Sequence, residues 1–107
     1  MKQTTITEFL RIEVLQTTTE EQLLHKADNI NAFLQKQDGF IDAELVKPVD
    51  GKTWYFIYHI ENFEKLRAVG EKIREMKLFN EIIPLIEPGS MSVSFYQHSK
   101  KWAGLNK

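Results

Sequence analysis

With 107 residues, 42% of them apolar, and interspersed charges summing to −1, the chain has the make-up of one folded domain; that balance excludes a disordered chain and a dedicated basic face for nucleic acid. It contains no cysteine, which excludes disulfides, thiolate nucleophiles and zinc–thiolate sites. No apolar run approaches the ~20 residues of a membrane span, and no apolar stretch follows Met1-Lys2-Gln3-Thr4-Thr5 as in a signal peptide, so no membrane partner and a cytoplasmic location are expected.

The first predicted strand runs from Glu8 to Leu15. Leu10, Ile12 and Val14 share one face, and Phe9, Arg11 and Glu13 the other. After the threonine run, Thr18 with Glu21 or Thr19 with Gln22 fits a capping box. A helix follows over about Glu20 to Lys36, with Leu23, Ala27, Ile30 and Leu34 as its buried stripe and Leu24 and Phe33 flanking. His25 falls nearly opposite that stripe and reads as a solvated histidine. Gly39 can take the left-handed conformation that closes the helix.

A second strand, Phe40 to Val46, places Ile41, Ala43 and Leu45 on one face and Asp42 and Glu44 on the other. Pro48 to Lys52 is a turn around Asp50-Gly51. The third strand, Thr53 to Ile60, is dense in aromatic and β-branched residues on both faces, so periodicity leaves open which face meets the helices. Asn62 is a good N-cap for a second helix. That helix presents Phe63, Leu66, Val69, Gly70 and Ile73 on one stripe. A short apolar segment follows from Leu78 to Ile83, and Pro84 and Pro88 prevent one long helix. The last strand carries Met91, Val93 and Phe95 inward and Ser92, Ser94 and Tyr96 outward. The tail, Ser99 to Lys107, is basic and expected to be loose. Lys100 and Lys101 in it read as solvated rather than as a nucleic-acid contact, and Trp102 is expected to dock on the body.

The order β-α-β-β-α-β predicts one domain over residues 1–107, with its core at about 8–97. Its fold class is α+β: a ferredoxin-like sandwich of a four-stranded antiparallel sheet with two helices on one face. The uncovered face would hold Phe9, Arg11, Glu13, Asp42, Glu44 and Tyr96, joined by Tyr55, Ile57 and His59 if Trp54, Phe56, Tyr58 and Ile60 face the helices. Such a face is too aromatic for ordinary surface and too charged for a core, which predicts a homodimer built sheet to sheet.

Two constellations could carry chemistry. His59 with Arg11, Glu13, Asp42 and Glu44 reads either as an acid–base cluster or, more plainly, as ion pairs inside a dimer. The same residues show no metal-ligand spacing, so no metal is expected. Trp54, Phe56 and Tyr58 read either as core or as the wall of a pocket for a flat aromatic ligand, with Tyr58 as the polar handle. Gly70 lies on the buried stripe of the second helix, where glycine costs about 1 kcal/mol relative to alanine. It leaves room there, for close helix–sheet packing or for a ligand.

Gly39-Phe40 after the first helix, the strand-to-helix run Ile60-Glu61-Asn62-Phe63-Glu64-Lys65-Leu66, and the short segment before the last strand carry a resemblance. Over about residues 8–96 the chain resembles the antibiotic biosynthesis monooxygenase family of the dimeric α+β barrel superfamily. The resemblance implies a homodimer whose sheets close into a barrel, with a pocket in each monomer between sheet and helices. Members include cofactor-independent quinone-forming monooxygenases and haem-degrading enzymes. The Trp, His and Asn of the haem-degrading members fall on Ile60, on Val69 or Gly70, and on Leu10 or Arg11. None is retained, so haem degradation is not expected and no catalytic residue carries over.

The resulting expectation is a monooxygenase-like protein that uses no cofactor and acts on a small aromatic or polyketide-like compound. The ligand would meet Trp54, Phe56, Tyr58, Val69 and Gly70, with Tyr58, His59 and Arg11 as catalytic candidates. The alternative is a non-catalytic dimeric ligand-binding or scaffold protein on the same fold.

Overall fold

The computed structural model describes residues 4–105; Met1 to Gln3 and the last two residues of the expected basic tail lie outside the described residues. Alternating apolar and polar side chains form β1 (Ile6–Glu13). Thr19 starts α1 (Glu20–Leu34): its hydroxyl accepts from the Gln22 N–H at 3.1 Å, and the Gln22 side chain accepts from the Thr19 N–H at 2.8 Å. Of the two capping boxes that the sequence allows, this one forms, and it satisfies two orphaned donors. β2 (Phe40–Val46) and β3 (Thr53–Ile60) are joined through a turn in which Gly51 takes φ 92°. The Asn62 side chain accepts from the Lys65 N–H at 3.0 Å and starts α2 (Phe63–Met76). Lys77 ends α2 in the left-handed conformation. Two 3₁₀ turns, Leu78–Glu81 and Ile83–Leu85, lead to β4 (Ser92–Gln97).

The sheet order is β2-β3-β1-β4, and every neighbouring pair is antiparallel. This is the ferredoxin-like α+β arrangement, with both helices contributing to one core on one side of the sheet. That core joins Leu10 and Ile12 of β1 and Phe56, Tyr58 and Ile60 of β3 to Leu23, Ala27, Ile30 and Leu34 of α1 and to Leu66 and Val69 of α2. The ambiguity of the third strand is thereby resolved. Phe56, Tyr58 and Ile60 are buried under the helices with Trp54 packed beside them, and Tyr55, Ile57 and His59 turn to the other face.

Three expectations need correction. Ile41 does not share the core face with Ala43 and Leu45; Phe40 packs there instead, and Ile41 is 50% exposed. The register shifts between Phe40 and Asp42, and the extra residue of this bulge reverses the alternation on one side of it. β1 starts at Ile6 rather than Glu8, which carries Glu8 into the paired part of the sheet, opposite Tyr58. Trp102 does not dock: it is 77% exposed, and Lys100 of the same tail places its Nζ 5.0 Å from the ring centre.

Candidate functional site

The two helices cover the sheet unequally. α1 lies down fully, with Leu23 and Ile30 at 0% exposure, whereas α2 leaves Phe63 53% exposed and buries only Leu66 and Val69. Between α2 and the sheet lies a cavity of about 390 Å³. Val69, Gly70 and Ile73 of α2 line it from above, and Tyr58 and Ile60 of β3 from below. Leu34 and Phe40 close one end, Phe79 and the β4 side chains Val93 and Phe95 the other, and Arg67 and Arg74 of α2 complete the lining. Pairing of Val93 with Leu10 and of Phe95 with Glu8 puts both β4 residues on the helix-side face. They stay about half exposed, at 46% and 51%.

Gly70 explains part of the opening. A Cβ placed on it would meet nothing nearer than Arg74 Nη1, at 3.8 Å, so the missing side chain faces open space rather than a tightly packed strand. Gly39 is the contrast. A Cβ there would lie 2.5 Å from Lys65 Cδ, and its φ of +90° is one that side-chain-bearing residues rarely adopt.

Two polar groups reach this space from the sheet. Tyr58 stacks parallel to Phe56 with ring centres 6.1 Å apart and tilts against Phe79 at 6.4 Å. Its hydroxyl is buried and has no hydrogen-bond partner among the described residues. Burial, with a smaller contribution from the charge of Glu8, pushes the Tyr58 phenol far above its ordinary value. Tyr58 is therefore a neutral hydrogen-bond donor at any physiological pH and cannot serve as a base. Glu8 lies directly across the strand pair from it. Desolvation of this half-buried side chain raises the Glu8 carboxyl from 4.5 to about 7, and no ion pair or hydrogen bond to it forms among the described residues.

Glu8 was not singled out from the sequence, although the signal was present. Counting back by two from Ile12 and Leu10 reaches Glu8, a carboxylate on a strand face otherwise made of Ile6, Leu10, Ile12 and Val14. Of the ligand-contact residues expected from sequence, Tyr58, Val69 and Gly70 line the cavity. Phe56 is buried next to Tyr58 on the same face of β3 and does not line the cavity, and Trp54 borders a separate hollow with Val14, Gln16 and Lys52.

The other catalytic candidates sit on the opposite face of the sheet. The His59 Nδ1 donates to Asp42 Oδ1 at 2.6 Å, and Arg11 Nη2 donates to Glu13 Oε2 at 2.6 Å. They form two separate pairs, because His59 is opposite Thr7 and Arg11 is opposite Tyr55. Phe9 lies between them and makes edge-on contacts with Tyr55 and Tyr96, at 6.1 and 5.5 Å. Among the described residues no three His, Asp or Glu side chains cluster in a way that could hold a metal ion. Nor is any described helix long and apolar enough to cross a membrane.

No family model matches the chain, and no curated protein matches it. Solved structures do. A monooxygenase from the gene ActVA-Orf6 of Streptomyces coelicolor, in complex with the ligand nanaomycin D, superimposes with a TM-score of 0.79 at 14% identity, over 94% of this chain and 93% of that one. SnoaB, a cofactor-independent oxygenase from Streptomyces nogalater, gives 0.73 at 13% identity, over 97% and 99%. A hydroxynitrile lyase from Passiflora edulis gives 0.72 at 7% identity, over 92% and 97%. At such identities the likeness carries the fold alone, and the lyase shows that the fold hosts more than one chemistry. The chain has the α+β fold of the antibiotic biosynthesis monooxygenase-type proteins, as its sequence resemblance implies.

Proposed function

We propose that the cavity under α2 binds a flat, hydroxylated aromatic or polyketide-like compound and that the protein oxygenates it with dioxygen, without a bound cofactor. The observation that carries this reading is the cavity itself. It is largely apolar, about 390 Å³ in volume, and open beneath Gly70, with the Tyr58 hydroxyl, unpartnered among the described residues, as its buried polar handle. Two of the fold neighbours named above, a monooxygenase and a cofactor-independent oxygenase, support the choice of chemistry. The overall change would convert a hydroxyarene and dioxygen to a quinone and water: one oxygen atom enters the ring, and the other leaves as water with two substrate hydrogens. Tyr58 would hold the substrate oxygen, while Val69 and Ile73 shield the ring from water.

The second face supports a homodimer. Phe9, Tyr55, Ile57 and Tyr96 form an aromatic and aliphatic patch flanked by the pairs Arg11–Glu13 and His59–Asp42. A second copy of the same sheet would cover it and offer both charge signs in return. Ile57→Asp would place an unpaired charge in that contact and shift the protein to monomer in sedimentation velocity; a wild type that sediments as a monomer at micromolar concentration contradicts the arrangement.

The test of function is a fluorescence titration with hydroxylated naphthalenes and anthracenes, followed by oxygen uptake. Binding with one dioxygen consumed per product supports the oxygenase. Binding without uptake favours a ligand-binding protein, and absence of binding removes the cavity reading.

A further inference from the structure

The Glu8 carboxylate belongs to no ion pair or hydrogen bond among the described residues, yet it lies on the helix-side face of the central strand pair and lines the cavity. A lone carboxylate in an apolar pocket is costly to the fold. Among the described residues no cation or donor pairs with it; its partners across the sheet are Tyr58 of β3 and Phe95 of β4, and the aliphatic stripe of α2 lines the same cavity. The charged side chains of α2 that line the cavity are Arg67 and Arg74, and neither forms an ion pair with Glu8 among the described residues; the Arg67 guanidinium lies 5.2 Å over the Phe63 ring. The elements that close the ends contribute only apolar Leu34, Phe40, Phe79 and Val93.

We infer that Glu8 is the proton acceptor of the cavity: it takes the hydroxyl proton of a bound phenol or enol, while Tyr58 donates a hydrogen bond to the oxygen left behind. The inference rests on the reading that the cavity holds an aromatic ligand. In the step the substrate O–H bond breaks and a Glu8 O–H bond forms, and the electron pair stays on the substrate oxygen as a phenolate or enolate. No oxidant takes part in this step. The raised affinity of Glu8 for protons suits it to the role, because a base titrating near neutral pH accepts a proton without holding it irreversibly. Tyr58, locked in its neutral form by burial, is suited to stabilise the anion and not to compete for the proton. The ligand class follows: an acidic hydroxyl on a flat apolar ring, in preference to its methyl ether.

The test uses the full chain with two probes. 2-Naphthol releases its proton to a nearby base when excited and then emits as the anion, whereas 2-methoxynaphthalene has no proton to lose and reports occupancy alone. Measurements at about pH 5.5 and about pH 8.5 bracket the titration of Glu8. Bound 2-naphthol is expected to emit as the anion at the higher pH and as the neutral form at the lower. Glu8→Gln should lose the anion emission at the higher pH, emitting as the neutral form at both, while still binding the ether. Emission of bound 2-naphthol that is the same at both pH values in the wild type overturns the role of Glu8, even with the ether bound. So does anion emission that persists in Glu8→Gln. The wild-type comparison stands even if that variant does not fold. If neither probe binds, the cavity reading fails and this inference fails with it.

Discussion

The two helices of this fold carry similar apolar stripes and meet different fates. Leu23, Ala27, Ile30 and Leu34 of α1 are all at or below 3% exposure, packed on the sheet. The α2 stripe follows the same helical period, but Phe63 is half exposed and Gly70 faces the open space of the cavity beneath it. An amphipathic stripe therefore specifies that a face wants an apolar partner, and does not specify whether that partner is protein or ligand. The difference lies in details: a glycine at the middle of the stripe, and a carboxylate on the strand beneath it.

The largest test of this contrast is truncation. Ile30→Ala in α1 should cost about 2–5 kcal/mol in a urea melt, because it empties a filled core. Ile73→Ala in α2, which borders existing space, should cost less than about 1.5 kcal/mol. Equal losses would show that the two helices are packed alike.

Next comes the carboxylate. Glu8 binds its proton more tightly in the folded chain, at about 7, than at its usual 4.5. Between those values the folded state holds more protons than the unfolded, so stability falls as pH rises through that window and stays low above it. Glu8→Gln should abolish this slope and raise stability above neutral pH by on the order of 2 kcal/mol, with little change near pH 4. Melts at several pH values check the sign; a wild type that gains stability between those limits while the variant does not would contradict the burial of Glu8.

A similar magnitude is expected where α2 does pack closely. Gly39→Ala should cost about 1–3 kcal/mol, since it strains the backbone and drives a methyl group into Lys65.

Much of this architecture was legible from local physics. The Thr19–Gln22 box, the Asn62 cap and the α1 stripe follow from side-chain chemistry and the helical period, and the structure holds all three. Ile41 was misplaced because one extra residue in β2 reverses a period of two, and nothing in the residues Phe40-Ile41-Asp42 announces a bulge. The third strand was ambiguous because both of its faces are apolar, and only the packing of α1 distinguishes them. Glu8 was legible by alternation but was itself the expected first residue of its strand, where pairing could not be assumed. The cavity was the least legible part, since empty volume is a property of how far α2 stands from the sheet and no single residue encodes it.

The smallest expected change in stability gives the most direct test of the central claim, that the space under Gly70 belongs to a ligand. Gly70→Leu fills that space with an apolar side chain and recovers about 1 kcal/mol of helix propensity. The account predicts a melting midpoint that is unchanged or higher, together with loss of 2-methoxynaphthalene binding. A clearly destabilised variant would instead mean overpacking of a closed core, at about 1–3 kcal/mol, and that result, or full retention of the probe in a stable variant, would contradict the account.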